Sequence, residues 1–166
     1  MKRLHSPWRS DYIQSVKTPA GKKGCVLCAA WKSRRDDRHL VVTRGKHSFV
    51  ILNLYPYNSG HCMIVPSRHV GRLAGLSGAE YAEIFRSIRS VVAGLEKISS
   101  PDGFNIGSNL GRTAGAGIDG HVHFHVVPRW NGDTNFMPVL ADVKVISEEM
   151  KTTWGKLRSE LKGRRR

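Results

Sequence analysis

Three histidines alternate along one short stretch, His121, His123 and His125 in GHVHFHVVPRW, with Val122 and Phe124 between them and Val126 and Val127 after. Apolar and polar residues in alternation are the pattern of a strand, and side chains two apart on a strand point to one face. Three imidazoles then share a surface, about 6.5–7 Å from one to the next. Imidazole is the side chain best suited to proton exchange near neutral pH, and it also serves as a nucleophile or a metal ligand. Three histidines could simply line a polar pocket or hold a metal. Their sharing one face beside a glycine-rich loop, GRTAGAGIDG at 111–120, favours catalysis. Glycines in that loop let backbone N–H groups close on a phosphate, with Gly115 and Gly117 the candidate donors. The loop spells G-x-G-x-x-G, but it runs into a strand and not into a helix, which rejects a dinucleotide-binding fingerprint.

Cysteine supplies the other reactive cluster. Cys25 and Cys28 form a CxxC pair and Cys62 stands apart. An odd count with a CxxC argues against a secreted disulfide framework and for metal or redox use. One such pair is half of a tetrahedral zinc site. Cys62 follows His61 on an expected strand, so alternation turns it away from His61 into the core.

These groups need a scaffold. Residues 47–54 (HSFVILNL) and 61–66 (HCMIVP) read as strands joined by the turn YPYNSG. Ser77 to Glu80 is a capping box, followed by Tyr81, Ile84, Phe85, Ile88, Val92 and Leu95 at helical spacing, which predicts a long helix to about residue 98. SSPDG (99–103) breaks it, FNIGSN (104–109) is the next strand, and the histidine strand follows the glycine loop. VKVIS (143–147) is a further expected strand. Met150, Trp154, Leu157 and Leu161 mark a terminal helix. The expectation is an α+β fold with a mostly antiparallel sheet of about five strands. An arm at 1–24 precedes the domain at 25–146, and a C-terminal helix and basic tail occupy 147–166.

The chain has 166 residues, enough for one domain with a real core. No apolar run suits a membrane span and the N-terminus lacks a signal core, so the expected compartment is the cytoplasm. The net charge of +14, partly in the GRRR tail, attracts polyanions. A solvated basic surface accounts for it without specific nucleic-acid binding, since no RNA- or DNA-binding signature accompanies it. A polyphosphate substrate would benefit from the same field.

HVHFHVV matches the His-φ-His-φ-His-φ-φ pattern of the histidine-triad (HIT) superfamily of nucleotide hydrolases and transferases. LNLYPYNSGHCMIVPSRH (52–69) resembles that family's second motif, and the resemblance covers most of 25–136. PWRSDYI (7–13) and PRWNGDTNF (128–136) look most like the bacterial diadenosine tetraphosphate (Ap4A) phosphorylase-like members. The resemblance implies that His123 attacks the α-phosphate of a nucleotide to give a nucleotidyl-histidine, which water or inorganic phosphate then releases. It implies that His125 contacts the phosphate or scissile bridge as an acid, that His61 is a fourth histidine supporting the triad, and that Asn53 and Asn109 contact ribose and phosphate. It further implies a structural zinc held by Cys25, Cys28, His69 and His121, a homodimer with the two sheets joined, and no organic cofactor. Many members place Ser or Thr in the glycine loop, where this chain has Gly117 and Ile118, leaving more of the phosphate binding to backbone donors. Hydrolysis of Ap3A or Ap4A, hydrolysis of nucleoside phosphoramidates, and non-enzymatic nucleotide or RNA binding are the competing readings.

Overall fold

Two runs of five buried residues, Ser48–Leu52 and Cys62–Pro66, pair antiparallel in the centre of a sheet. Strands buried on both faces must be covered on both, and the rest of the chain supplies the cover. The computed structural model describes residues 24–133, 146 and 148–163. In chain order these are α1 (Val26–Ser33), the short α2 (Asp36–His39), β1 (Val41–Arg44), β2 (Ser48–Leu52), β3 (Cys62–Pro66), α3 (Gly78–Ser99), β4 (Gly103–Gly107), β5 (Phe124–Arg129) and α4 (Met150–Gly163). The five strands form one antiparallel sheet in the order β1-β2-β3-β5-β4. The α+β fold is therefore as expected.

One sheet face carries Val42, Val50, Leu52, Cys62, Ile64, Val122 and Val126, packed under Ile84, Ile88, Val91 and Leu95 of α3 and Leu157 and Leu161 of α4. Truncating a fully buried member such as Ile84 to alanine should cost about 2–5 kcal/mol. The start of α3 is the expected capping box: Ser77 Oγ accepts from the Glu80 N–H and Glu80 Oε2 accepts from the Ser77 N–H. Gly94 lets α4 approach closely, since a Cβ there would lie 3.0 Å from Leu157 Cδ1 and 3.1 Å from Leu161 Cδ2. The other face carries Val41, Phe49, Ile51, Met63 and Val65 and is covered by Leu27 and Ala30 of α1. No helix among the described residues is long and apolar enough to cross a membrane.

Several boundaries differ from expectation. Helices α1 and α2 and strand β1 were not legible as such. β1 pairs with β2 through a bulge between Val41 and Thr43. The Val41 carbonyl accepts from Trp154 Nε1 (2.9 Å) and Arg158 Nη1 (2.8 Å), and Arg158 Nη1 also reaches the Val42 carbonyl (3.1 Å). The strand expected at 104–109 spans Gly103–Gly107. The histidine strand enters the ladder only at Phe124. The arm at 1–24, apart from Gly24, the PWRSDYI segment, the strand at 143–147, apart from Ile146, and the GRRR tail, apart from Gly163, lie outside the described residues.

Candidate active site and metal centre

Although His121 and His123 precede the ladder, alternation still decides their direction. Val122 and Val126 are buried among the α3 and α4 side chains with Phe124 against them, and His121, His123 and His125 point to the opposite face. All three are buried, as is His61.

Burial alone does not define what an imidazole does, because its two nitrogens differ and each neutral ring carries one proton. Here the neighbours decide. His123 Nδ1 lies 2.9 Å from the His121 carbonyl oxygen, which can only accept. His123 therefore carries its proton on Nδ1 and keeps a lone pair on Nε2. Ser108 Oγ donates to the His123 carbonyl at 2.7 Å and holds the same stretch from the other side.

His125 takes the opposite tautomer. The Tyr57 backbone N–H donates to His61 Nδ1 at 3.1 Å, so that nitrogen is an acceptor. Asn53 Nδ2 lies 3.3 Å from it and Asn53 Oδ1 accepts from the Tyr55 N–H at 3.1 Å, which orients the amide to donate. The His61 proton is then on Nε2, 2.9 Å from His125 Nδ1, and the His125 proton is on its own Nε2. That atom is buried and has no hydrogen-bond partner among the described residues. An N–H donor held out of water and unpaired has its capacity free for a ligand. Burial, then the neighbouring imidazoles, pushes His61 down to about 3 and His125 down to about 4. Burial also lowers His123 against the opposing pull of its carbonyl partner. Near pH 7 these three rings are neutral, so the tautomer assignments hold there.

The second cluster sits at the end of the same segment. Cys25, Cys28, His69 and His121 bring one ligand atom each to within 4.8 Å of one another. Cys25 Sγ is 3.3 Å and Cys28 Sγ 3.5 Å from His121 Nδ1, and Cys28 Sγ is 3.3 Å from His69 Nδ1. Bonds of about 2.3 Å to sulfur and 2.0–2.1 Å to nitrogen at tetrahedral angles put ligand atoms about 3.3–3.8 Å apart, so the donor set fits zinc. His121 Nε2 donates to the Pro66 carbonyl at 3.0 Å, which leaves Nδ1 as the ligating atom and orients the ring as metal-bound histidines are oriented.

The residues expected to bind substrate are less uniform. The Asn53 amide is turned to His61. The Gly115 N–H donates to the Arg112 carbonyl at 2.9 Å within the loop's own turn, so Gly115 is not the free donor that an anion nest requires. Its φ of +87° is the reason for a glycine there. Asn109 Nδ2 lies 3.8 Å from where a Gly115 Cβ would be, beside that loop. Cys62 is fully buried on the α3 side, as its alternation with His61 predicts. Tyr57 and Ser108 were not singled out in the sequence. Tyr57 lies in a segment that reads as a turn, and its contribution is a backbone N–H, which every residue but proline carries.

A family model for the HIT domain matches residues 34–132. A Mycobacterium tuberculosis protein named AP-4-A phosphorylase is 38% identical over 157 residues, which is 92% of this chain and 80% of that one. An adenosine 5′-monophosphoramidase of Schizosaccharomyces pombe is 28% identical over 138 residues, 83% of this chain and 98% of that one. Among solved structures, a Zn-bound histidine triad family protein from Mycobacterium smegmatis has the same fold, with a TM-score of 0.69, 24% identity and coverage of 86% of this chain and 96% of that one.

Proposed function

The chain belongs to the HIT family, and from that premise we propose that it transfers a nucleotidyl group from a dinucleoside polyphosphate, Ap4A first among them, to inorganic phosphate. One observation carries the chemistry: two neighbouring imidazoles hold opposite tautomers, His123 with a lone pair on Nε2 and His125 with an unpartnered proton on Nε2. A nucleophile and a donor that stabilises the charge on the departing oxygen are the two groups a displacement at phosphorus needs. The relative named AP-4-A phosphorylase supports the substrate.

His123 Nε2 attacks the α-phosphorus and its bond to the bridging oxygen breaks. ATP departs as its anion, with His125 Nε2–H hydrogen-bonded to the bridging oxygen as charge builds on it. Inorganic phosphate attacks the same phosphorus, the phosphorus–nitrogen bond breaks, ADP leaves with His123 regenerated, and any proton of the attacking phosphate passes to solvent. The sum is Ap4A plus phosphate giving ADP plus ATP. His61 holds His125 in its donor tautomer, and the His121 carbonyl holds His123 in its acceptor tautomer. Asn53, Asn109 and Gly117 are the proposed contacts to ribose and phosphate.

Zinc on Cys25, Cys28, His69 and His121 would act structurally, fixing His121 and so the carbonyl that orients His123. Among the described residues strand β4 ends the sheet, with Asn105, Ile106 and Gly107 exposed, which supports a homodimer paired through that strand. The free thiols suit the reducing cytoplasm.

The test is a substrate panel with and without phosphate, with products identified. ADP plus ATP from Ap4A, dependent on phosphate, supports phosphorolysis, and the same cleavage with water as acceptor indicates hydrolysis. Cleavage of adenosine phosphoramidate alone, the activity named for the Schizosaccharomyces relative, replaces the substrate reading. His123→Ala should lose turnover by about 10⁴-fold or more while still binding nucleotide. Full activity in that variant refutes the mechanism.

A further inference from the structure

Tyr57 is 56% exposed, yet its ring does not float free. Its centroid is 4.6 Å from that of His61 and 6.0 Å from that of His125, tilted 40° and 32°. Its backbone is pinned by the N–H bond to His61 Nδ1. The next residue, Asn58, is buried and donates to the Pro128 carbonyl at 3.0 Å and to Asp133 Oδ2 at 2.6 Å. An aromatic face is thus presented to solvent on an anchored loop beside the ring that carries the free Nε2 proton.

That position has a direction. In a displacement at phosphorus the departing group lies across the phosphorus from the nucleophile and beside the N–H that hydrogen-bonds the departing oxygen. Tyr57 borders His125, so it stands where the departing half of the substrate emerges. Every nucleobase has a π-face, and an aromatic side chain stacks on any of them with little regard to sequence.

We propose that Tyr57 is the stacking platform for the base of the departing nucleotide and that it selects dinucleoside polyphosphates over substrates whose leaving group has no base. The proposal rests on the nucleotidyl-transfer reading of the site and adds to it a specificity residue on the leaving side.

The experiment compares Tyr57→Ala and Tyr57→Phe with the unaltered protein on Ap4A and on adenosine 5′-phosphoramidate, whose leaving group is ammonia. Tyr57→Ala should lower the ratio of kcat/KM for Ap4A to that for the phosphoramidate by about 5- to 150-fold, mostly through KM. Tyr57→Phe, which keeps the π-face, should keep the ratio. Equal losses on both substrates would mean that the ring only braces His61, and they overturn the proposal. An unchanged ratio, or a Tyr57→Phe variant as poor as Tyr57→Ala, overturns it too. Should Tyr57→Ala melt before assay temperature, Tyr57→Leu removes the π-face while keeping apolar bulk. Should the unaltered protein cleave phosphoramidates but not Ap4A, the substrate reading falls and Tyr57 is still tested. The ratio is then taken between the tryptamine phosphoramidate of AMP, with an aromatic leaving group, and the ammonia one.

Discussion

Replacing His61 with leucine should damage catalysis without touching any group that meets the phosphate. His61 receives the Tyr57 N–H on Nδ1 and passes a proton from Nε2 toward His125 Nδ1 at 2.9 Å. Leucine fills much of the same volume but donates nothing. His125 Nδ1, in a ring only 9% exposed, is left without its donor. A buried polar atom stripped of its partner costs about 1–3 kcal/mol. The ring can avoid that cost only by moving the proton to Nδ1 or by turning over, and either change removes the donor aimed at the departing oxygen. If the whole cost appears in the barrier, kcat falls about 5- to 150-fold, since about 1.4 kcal/mol is a factor of ten. His61→Gln is the control, because its amide reaches about as far as Nε2 and can still donate to His125. The assay is steady-state turnover of Ap4A, with thermal melts showing that both variants are folded. Leucine and glutamine variants that lose activity equally, or a leucine variant with full activity, would refute the tautomer argument.

Other expectations follow from the same geometry. His61 and His125 titrate at about 3 and about 4 in the folded chain, below the ordinary value near 6.5. Between pH 6.5 and 4 the unfolded state binds protons that the folded state refuses. The stabilisation is complete above pH 6.5 and is lost as pH falls, by on the order of 1 kcal/mol per unit for each ring. Melts from pH 7 to 4.5 should show the decline, and a flat profile would contradict it. Protein purified without chelator should carry about one zinc per chain. Cys28→Ser should lower that content and the melting temperature by about 5–10 °C, and metal analysis finding no zinc in the unaltered protein ends the assignment. Ile106→Glu puts a charge on the exposed β4 strand and should convert a dimer to monomers in light scattering, whereas an unchanged mass argues that β4 is not the joining edge.

The parts of this molecule that were legible in its sequence are those whose pattern is local. The α3 start was readable because Ser77 and Glu80 satisfy each other's backbone N–H groups three residues apart, and its length because the buried residues recur at helical spacing. Helix α1 has eight residues, fewer than a helix needs to hold itself together in water, and it exists because Leu27 and Ala30 pack on Phe49 and its neighbours. The four residues of β1 become a strand by pairing with β2 across a bulge. Alternation in the histidine segment reported which face each ring occupies but not where the ladder begins. The Val122 N–H bonds to the Val70 carbonyl and His121 Nε2 to Pro66, which draws that stretch away from strand pairing. The four expected metal-site residues do converge. The direction of each proton was not readable, because it depends on the Tyr57 N–H and the His121 carbonyl. Likewise, no spacing rule could show that the Gly115 N–H is consumed inside its own loop.

The two ends of the sheet are not alike. At β1 the carbonyls of Val41 and Val42 are occupied by Trp154 and Arg158, so a strand arriving there finds its acceptors taken. At β4 the described residues leave the margin bare. Unpaired strand margins are the usual route by which proteins polymerise into fibres. A chain with both margins bare could add neighbours without limit. One that is stoppered at one end can be joined once, because pairing about a two-fold axis consumes the bare margin of both copies. In a dimer joined through β4, the side chains of the terminal helix would set a count: growth by strand addition would end at two.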